Sequence, residues 1–98
     1  MIRFVVIISF GDLETEKIFQ NVVSRKFPVN IQTTALRKLL QIDAAVSLNS
    51  LRVPPGNRLE ALKGSRAGQY SIRINNQWRV CFVWTGGDAQ EVEIVDYH

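Results

Sequence analysis

Between Tyr70 and Trp84 the chain alternates in a period of two about one polar break, and no other feature constrains its fold as tightly. Tyr70, Ile72 and Ile74 alternate with Ser71 and Arg73. After Asn75-Asn76-Gln77, the residues Trp78, Val80, Phe82 and Trp84 alternate with Arg79, Cys81 and Val83. Successive side chains of a strand point to opposite faces, so this pattern predicts two strands, each with one apolar face. A three-residue hairpin loop, its asparagines tolerating a left-handed backbone, sets Ile74 opposite Trp78 and Arg73 opposite Arg79. That register sends the large apolar residues to one face and both arginines to the other. The apolar face then needs a cover.

The first half of the chain supplies it. Asp12 is placed to cap a helix over Leu13 to Val23, with Glu14 and Glu16 in its first turn, where the helix dipole favours acids. Pro28 punctuates, and Asn30 can cap a second helix from Ile31 to Ala45. There Ile31, Ala35, Leu39 and Ile42 fall at helical spacing, as do Leu36 and Leu40, with Arg37, Lys38 and Gln41 on the other side. Ile2 to Phe10, apolar and β-branched, reads as a first strand. Asn49 to Asn57, holding Pro54-Pro55-Gly56, is a loop, and Leu59 to Leu62 a short strand before the turn Lys63 to Gly68. Gly86-Gly87-Asp88 turns the chain into a last strand, Ala89 to Val95. The predicted order is β-α-α-β-β-β, an α+β fold with two N-terminal helices packed on a mainly antiparallel curved sheet. Its 98 residues predict one domain over 1–98.

Hydrophobic residues make up 46% of the chain, which suits a compact domain rather than disorder. The single cysteine, Cys81, excludes an internal disulfide and lies in a strand, so a buried, inert thiol is expected. No apolar run reaches membrane-spanning length, and Met1 to Phe10 lacks the cleavage pattern of a secretory signal. A cytoplasmic protein without membrane contact is the expectation.

The net charge is +3, but its distribution says more. From Arg25 to Arg79 lie 10 basic residues, Arg25, Lys26, Arg37, Lys38, Arg52, Arg58, Lys63, Arg66, Arg73 and Arg79, against two acids, Asp43 and Glu60. Such a basic centre suits a polyanion, most simply nucleic acid. Two arginines facing across a hairpin are destabilising unless an anion sits between them or they splay into solvent. Glu60, the one acid beside Lys63 and Arg66, is either a proton acceptor or a salt-bridge partner. The last residues, Asp96-Tyr97-His98, carry the only histidine. A terminal histidine is commonly a solvated tail, yet it titrates near neutral pH and can donate a proton. A carboxylate base, a histidine acid and arginines for phosphate are the parts needed to cleave RNA with no metal or cofactor.

These residues also carry a resemblance. Asn57 to Gly64, Ser71-Ile72-Arg73, Trp78 to Phe82, Glu93 to His98 and the helix end Leu40 to Ala45 are similar to HigB-type toxins. These belong to the RelE/ParE superfamily of bacterial toxin–antitoxin systems. Leu-Lys-Gly-x-Arg-x-Gly at Leu62 to Gly68 together with terminal Asp-Tyr-His forms the specific part of the signal. The resemblance implies the RelE-like microbial ribonuclease fold and a ribosome-dependent mRNA interferase that arrests translation and growth. It also implies a HigA-like helix-turn-helix antitoxin encoded beside it, with operator DNA bound only through the antitoxin complex. Family roles carry to Lys63, Arg73 and Arg79 as phosphate contacts and to Asp96, Tyr97 and His98 as the C-terminal part of the site. Many HigB toxins have histidine where this chain has Glu60. The YoeB branch has glutamate before a similar Leu-Lys, so Glu60 is assigned as base and His98 as acid. Arg25, Lys26, Arg37, Lys38, Arg58 and Arg66 are expected to bind RNA or the ribosome. A ParE-like gyrase-binding toxin and an inactive nucleic-acid-binding domain stand as alternatives. Family members commonly open Met-Ile-x-Ser-Phe, matched here by Val6 to Phe10, so Val6 is a candidate alternative start.

Overall fold

A computed structural model describes residues 6–97. Helix α1, Leu13–Phe19, starts where expected: Asp12 Oδ1 accepts from the Thr15 N–H at 2.6 Å. It ends four residues earlier than the expected Val23, because Asn21 turns left-handed at φ 61°. Helix α2, Val29–Asp43, begins directly after Pro28, so Asn30 lies inside it and caps nothing. Gln32 ties the incoming loop instead, donating to the carbonyls of Ser24 at 2.7 Å and Phe27 at 2.9 Å. Ile31, Ala35, Leu39 and Ile42 are buried as their spacing predicts, whereas Leu40 faces solvent.

Lys38 corrects the expected pattern. It is buried, and its ammonium donates to Asn57 Oδ1 at 2.6 Å. The Asn57 amide in turn donates to Gln41 Oε1 at 3.0 Å and the Leu51 carbonyl at 3.1 Å. This network holds the loop Leu48–Asn57, which contains two 3₁₀ turns, Leu48–Arg52 and Pro55–Asn57, against α2. Lys38 is therefore committed to the interior and is not a surface docking residue. Burial, aided by nearby Arg37 and Arg73, holds its pKa below the ordinary lysine value.

The sheet consists of β1 (Glu60–Ala61), β2 (Gln69–Arg73), β3 (Trp78–Thr85) and β4 (Asp88–Asp96), antiparallel and in that spatial order. Arg73 pairs with Arg79, and the Ile74 N–H donates to the Trp78 carbonyl, as the alternation predicts. The loop chemistry differs, since neither Asn75 nor Asn76 has positive φ. Asn75 Oδ1 instead accepts from the backbone N–H groups of Gln77 and Trp78, both at 2.8 Å. Gly86 and Gly87 both have positive φ, the pair of conformations a tight two-residue hairpin needs.

The N-terminal segment is not the continuous strand expected. Its described part, Val6 to Phe10, runs parallel beside β4 and makes only two isolated bridges, Ile7 to Ala89 and Phe10 to Val92. The reason is a bulge in β4. Cys81 pairs with Glu93 but Val83 with Gln90, and Glu91 is left-handed at φ 51°. Ser9 Oγ accepts the Glu91 N–H at 2.9 Å across the gap. Asp43, at the end of α2, accepts from the Val6 and Ile7 N–H groups. Ile2 to Val5, and with them the test of an alternative start, lie outside the described residues.

The core fills the space between the helices and one sheet face, with Ile72, Val80, Phe82, Val92 and Ile94 against Ile31, Ala35, Leu39 and Ile42. Buried Thr15 couples the layers: its Oγ1 accepts from the Ile94 N–H at 2.9 Å. Neither α1 nor α2 packs on the opposite, open face of the sheet.

Candidate active site on the open face of the sheet

Strand pairing sets Glu60 beside Ser71, Ser71 beside Cys81, and Cys81 beside Glu93, so these four share the open face. Arg79 stands among them with 9% exposure. Its Nε donates to Ser71 Oγ at 2.7 Å and its Nη2 to the Arg58 carbonyl at 2.6 Å. Arg58 has φ 46°, a conformation a large side chain rarely adopts, and its carbonyl serves the guanidinium directly. The Glu60 carboxylate lies 3.8 Å from Arg79 Nε, with its side chain 47% exposed. Tyr97 closes the other side, its ring centroid 5.6 Å from the guanidinium carbon.

A second pair adjoins this one. Arg66 Nη1 donates to Glu93 Oε1 at 2.8 Å and to Gln69 Oε1 at 3.0 Å. The Glu93 bond raises the Arg66 pKa further above its ordinary value. Beneath both arginines lies the buried Cys81 thiol, whose pKa burial pushes up. Glu60 also lines a cleft of ≈ 260 Å³ at the edge of the sheet, together with Leu48, Asn49, Arg52, Leu59 and Tyr70.

The remaining expected site residues divide. Lys63 is exposed on the turn that also carries Arg66. Arg73 pairs with Arg79 in register, but its guanidinium bonds Asn76 Oδ1 at the hairpin end, so the two arginines splay apart. Asp96 pairs with Trp78 rather than Arg79, and accepts from Gln77 Nε2 at 3.1 Å. His98 lies outside the described residues. Arg25 and Lys26, the latter 5.4 Å from the Phe27 ring centroid, sit in the loop between the helices, and Arg37 is exposed on α2. These three are on the helical side and do not join the cluster; Lys38, as shown above, is interior. Ser71 and Glu93 have no place in the site that the sequence predicts. Ser71 shares strand parity with Arg73, which is a usable signal, but Glu93 reaches this face only through the β4 bulge. Among the described residues, no three His, Cys, Asp or Glu side chains are grouped to hold a metal ion.

Two helices on one face of a four-stranded antiparallel sheet, with an arginine–carboxylate cluster on the other, define a small RelE-like toxin. The chain belongs to the HigB family, matching over residues 8–98 the model described as RelE-like toxin of type II toxin-antitoxin system HigB. Toxin HigB-1 of Vibrio cholerae serotype O1 is 46% identical over 65 residues, 66% of this chain and 68% of that protein. Endoribonuclease HigB of Proteus vulgaris is 30% identical over 90 residues, 92% of this chain and 97% of that protein. Among solved structures, a YoeB dimer from Staphylococcus aureus matches with TM-score 0.55 and 21% identity, over 98% of this chain and 99% of that one. YafQ from E. coli strain BL21(DE3) matches with TM-score 0.55 and 16% identity, over 92% and 90%. At these identities the two structures establish the shared fold. No helix among the described residues is long and apolar enough to cross a membrane.

Proposed function

We propose that this toxin is an endoribonuclease that cleaves mRNA on the translating ribosome, with the open face of the sheet as its active site. The observation that carries the reading is the half-exposed Glu60 carboxylate 3.8 Å from a buried arginine. Arg79 is aligned by neutral oxygens of Ser71 and Arg58. A guanidinium held by neutral acceptors keeps its charge available to a phosphate. The name of the Proteus vulgaris relative supports the same activity.

In this mechanism Glu60 takes the proton of a ribose 2′-hydroxyl, and the 2′-oxygen attacks the adjacent phosphorus. Arg79, with Lys63 and Arg66 around the turn, stabilises the charge that builds on the phosphate oxygens. Tyr97 stacks on a base or orients the phosphate. His98 is assigned the proton delivered to the departing 5′-oxygen, leaving a 2′,3′-cyclic phosphate and a 5′-hydroxyl. The steps use side chains alone and need no metal. Arg58 and Arg73 flank this centre as contacts for the RNA backbone. The partner that silences the toxin is a HigA-like helix-turn-helix antitoxin, through which the pair binds operator DNA in the cytoplasm.

Programmed ribosomes test the reading. Wild-type protein should cut the mRNA in the ribosomal decoding region, with ends mapped by primer extension, and folded Arg79→Ala should not. Growth arrest with intact mRNA and inhibited gyrase would replace this reading with the gyrase-binding alternative. Equal cleavage by Arg79→Ala would move the site off this face.

A further inference from the structure

The cleft beside Glu60 runs around the edge strand of the sheet. Glu60, paired with Ser71, reaches it from the open face, and Tyr70, the neighbouring residue of β2, from the helical side. Leu48 and Leu59, half-buried against the core, supply aliphatic walls. Tyr70 supplies a half-buried ring, backed by Phe82 at 6.4 Å between ring centroids. At ≈ 260 Å³ the space falls just below the ~300–1,000 Å³ of pockets for drug-sized ligands, so it suits one planar ring system rather than a whole nucleotide. The loop that forms one side is fixed before any ligand arrives. Ser47 Oγ accepts from the Ser50 N–H at 3.2 Å, the Ser50 hydroxyl donates to the Ser47 carbonyl at 2.6 Å, and Leu51 is buried. Asn57 bonds both the Leu51 carbonyl and Gln41, which ties the same turn to α2.

The polar side chains in the cleft are matched to one chemistry. Arg52 Nε donates to Asn49 Oδ1 at 2.7 Å, which couples the two within one 3₁₀ turn. That bond engages the amide oxygen, so what the pair still offers is chiefly N–H, from the amide nitrogen of Asn49 and the Nη groups of Arg52. Tyr70 offers a π face on which any base can stack. A base with two adjacent acceptors answers both features. Guanine has O6 beside N7, whereas adenine sets a donor next to its N7, and pyrimidines present a smaller face to the ring. A phosphate is a poorer occupant, because the Glu60 carboxylate lines the same space. An aliphatic side chain is poorer too, since it would leave the Asn49 and Arg52 donors without acceptors.

We infer that this cleft reads the RNA base immediately 5′ to the cut, stacking it on Tyr70 and bonding its acceptor edge, guanine foremost, through Arg52 and Asn49. The inference rests on the proposed role of Glu60 as the group that deprotonates the attacking 2′-hydroxyl. That hydroxyl sits on C2′, and the base of the same nucleotide on the adjacent C1′. With the 2′-oxygen at Glu60, the base is carried into the cleft that Glu60 lines. The nucleotide 3′ to the cut then falls to Tyr97, on the other side of Arg79. Selectivity among substrates thus comes from the loop that carries Asn49 and Arg52, while the chemistry stays on the sheet.

Ribosomes programmed with four mRNAs that differ only in the base 5′ to the mapped cut test the inference in single-turnover cleavage. Wild type should cut after guanine at least ~10-fold faster than after the other bases, a usual worth of a bidentate base contact. Arg52→Ala/Asn49→Ala changes only exposed side chains and should bring the four rates together. Arg52→Lys keeps the charge and loses the planar fork, so it should flatten the preference as well. Tyr70→Leu should slow all four substrates by a similar factor, ~5–100-fold for a lost stacking platform, and Tyr70→Phe should keep the wild-type rate. Melting temperatures show whether Tyr70→Leu is folded, and the Arg52 variants stand without it. Equal wild-type rates on the four mRNAs overturn the inference while leaving Glu60 as the base. So does a preference that survives Arg52→Ala/Asn49→Ala, even if all four rates fall together, since Arg52 would then contact only the RNA backbone. Failure of the wild type to cut any of the mRNAs would instead refute the catalytic reading, and this one with it.

Discussion

The helical side of the sheet and the Arg79 centre on its open face handle polar groups in opposite ways. On the helical side each buried polar side chain is answered within the chain. The Lys38 ammonium meets Asn57, Asn57 meets Gln41 and Leu51, and the Thr15 hydroxyl meets the Ile94 N–H. On the open face Arg79 is aligned by neutral oxygens, while its nearest carboxylate stands back at 3.8 Å and faces solvent. A group fully answered inside the fold contributes stability, and removing its partner leaves a buried donor or acceptor unpaired. A charge positioned but not neutralised can meet a ligand. The same residue types thus serve structure on one side and chemistry on the other. Lys38 illustrates the division, since its charge type alone placed it with the surface cations.

Substitutions on the two sides should therefore fail in different assays. Glu60→Gln keeps shape and removes the base. Single-turnover cleavage should drop by ~10²–10⁴, the usual worth of a positioned general base, with ribosome affinity and melting temperature nearly unchanged. An unaltered rate would reduce Glu60 to a salt-bridge partner and erase the contrast. Arg79→Ala should lose ~10²–10³ in the same assay. It should still bind the antitoxin, and loss of that binding would put the antitoxin on the open face.

Thr15→Val should do the reverse. It preserves volume but strands the Ile94 N–H, so the fold should lose about 1–3 kcal/mol while cleavage per folded molecule stays constant. Denaturant unfolding beside a cleavage assay checks both halves, and a cleavage defect at full stability would break the comparison. The smallest effect belongs to Lys38. Its pKa is lowered by burial, so the folded state releases that proton before the unfolded state does. Stability carried by this group therefore rises with pH between the lowered value and the ordinary lysine range, and is least below it. Melting temperatures of wild type and Lys38→Met, compared near pH 8 and near pH 10, should shift in favour of wild type at the higher pH. A constant difference would mean that Lys38 is as solvated as an ordinary surface lysine.

Whatever depends on local period and turn chemistry is legible in the amino-acid sequence. Alternation from Tyr70 to Trp84 specified the hairpin and its Arg73–Arg79 register, because a one-residue slip would put every apolar side chain on the wrong face. Asp12 marked the start of α1, and Gly86-Gly87 the turn into β4, since few residues suit those backbone positions. The family motif brought Glu60, Lys63, Arg79 and Tyr97 to attention. Which groups stand beside them depends on packing in three dimensions. Asn21, Glu91 and Arg58 adopt left-handed backbones that no local pattern announces. The Glu91 bulge reverses the parity of β4 and so delivers Glu93 to Arg66 and Tyr97 to Arg79. Arg58 offers a carbonyl to a guanidinium 21 residues away, and Lys38 finds an amide 19 residues away. Partners that distant are chosen by how whole layers pack, and a chain read a few residues at a time carries no record of that choice.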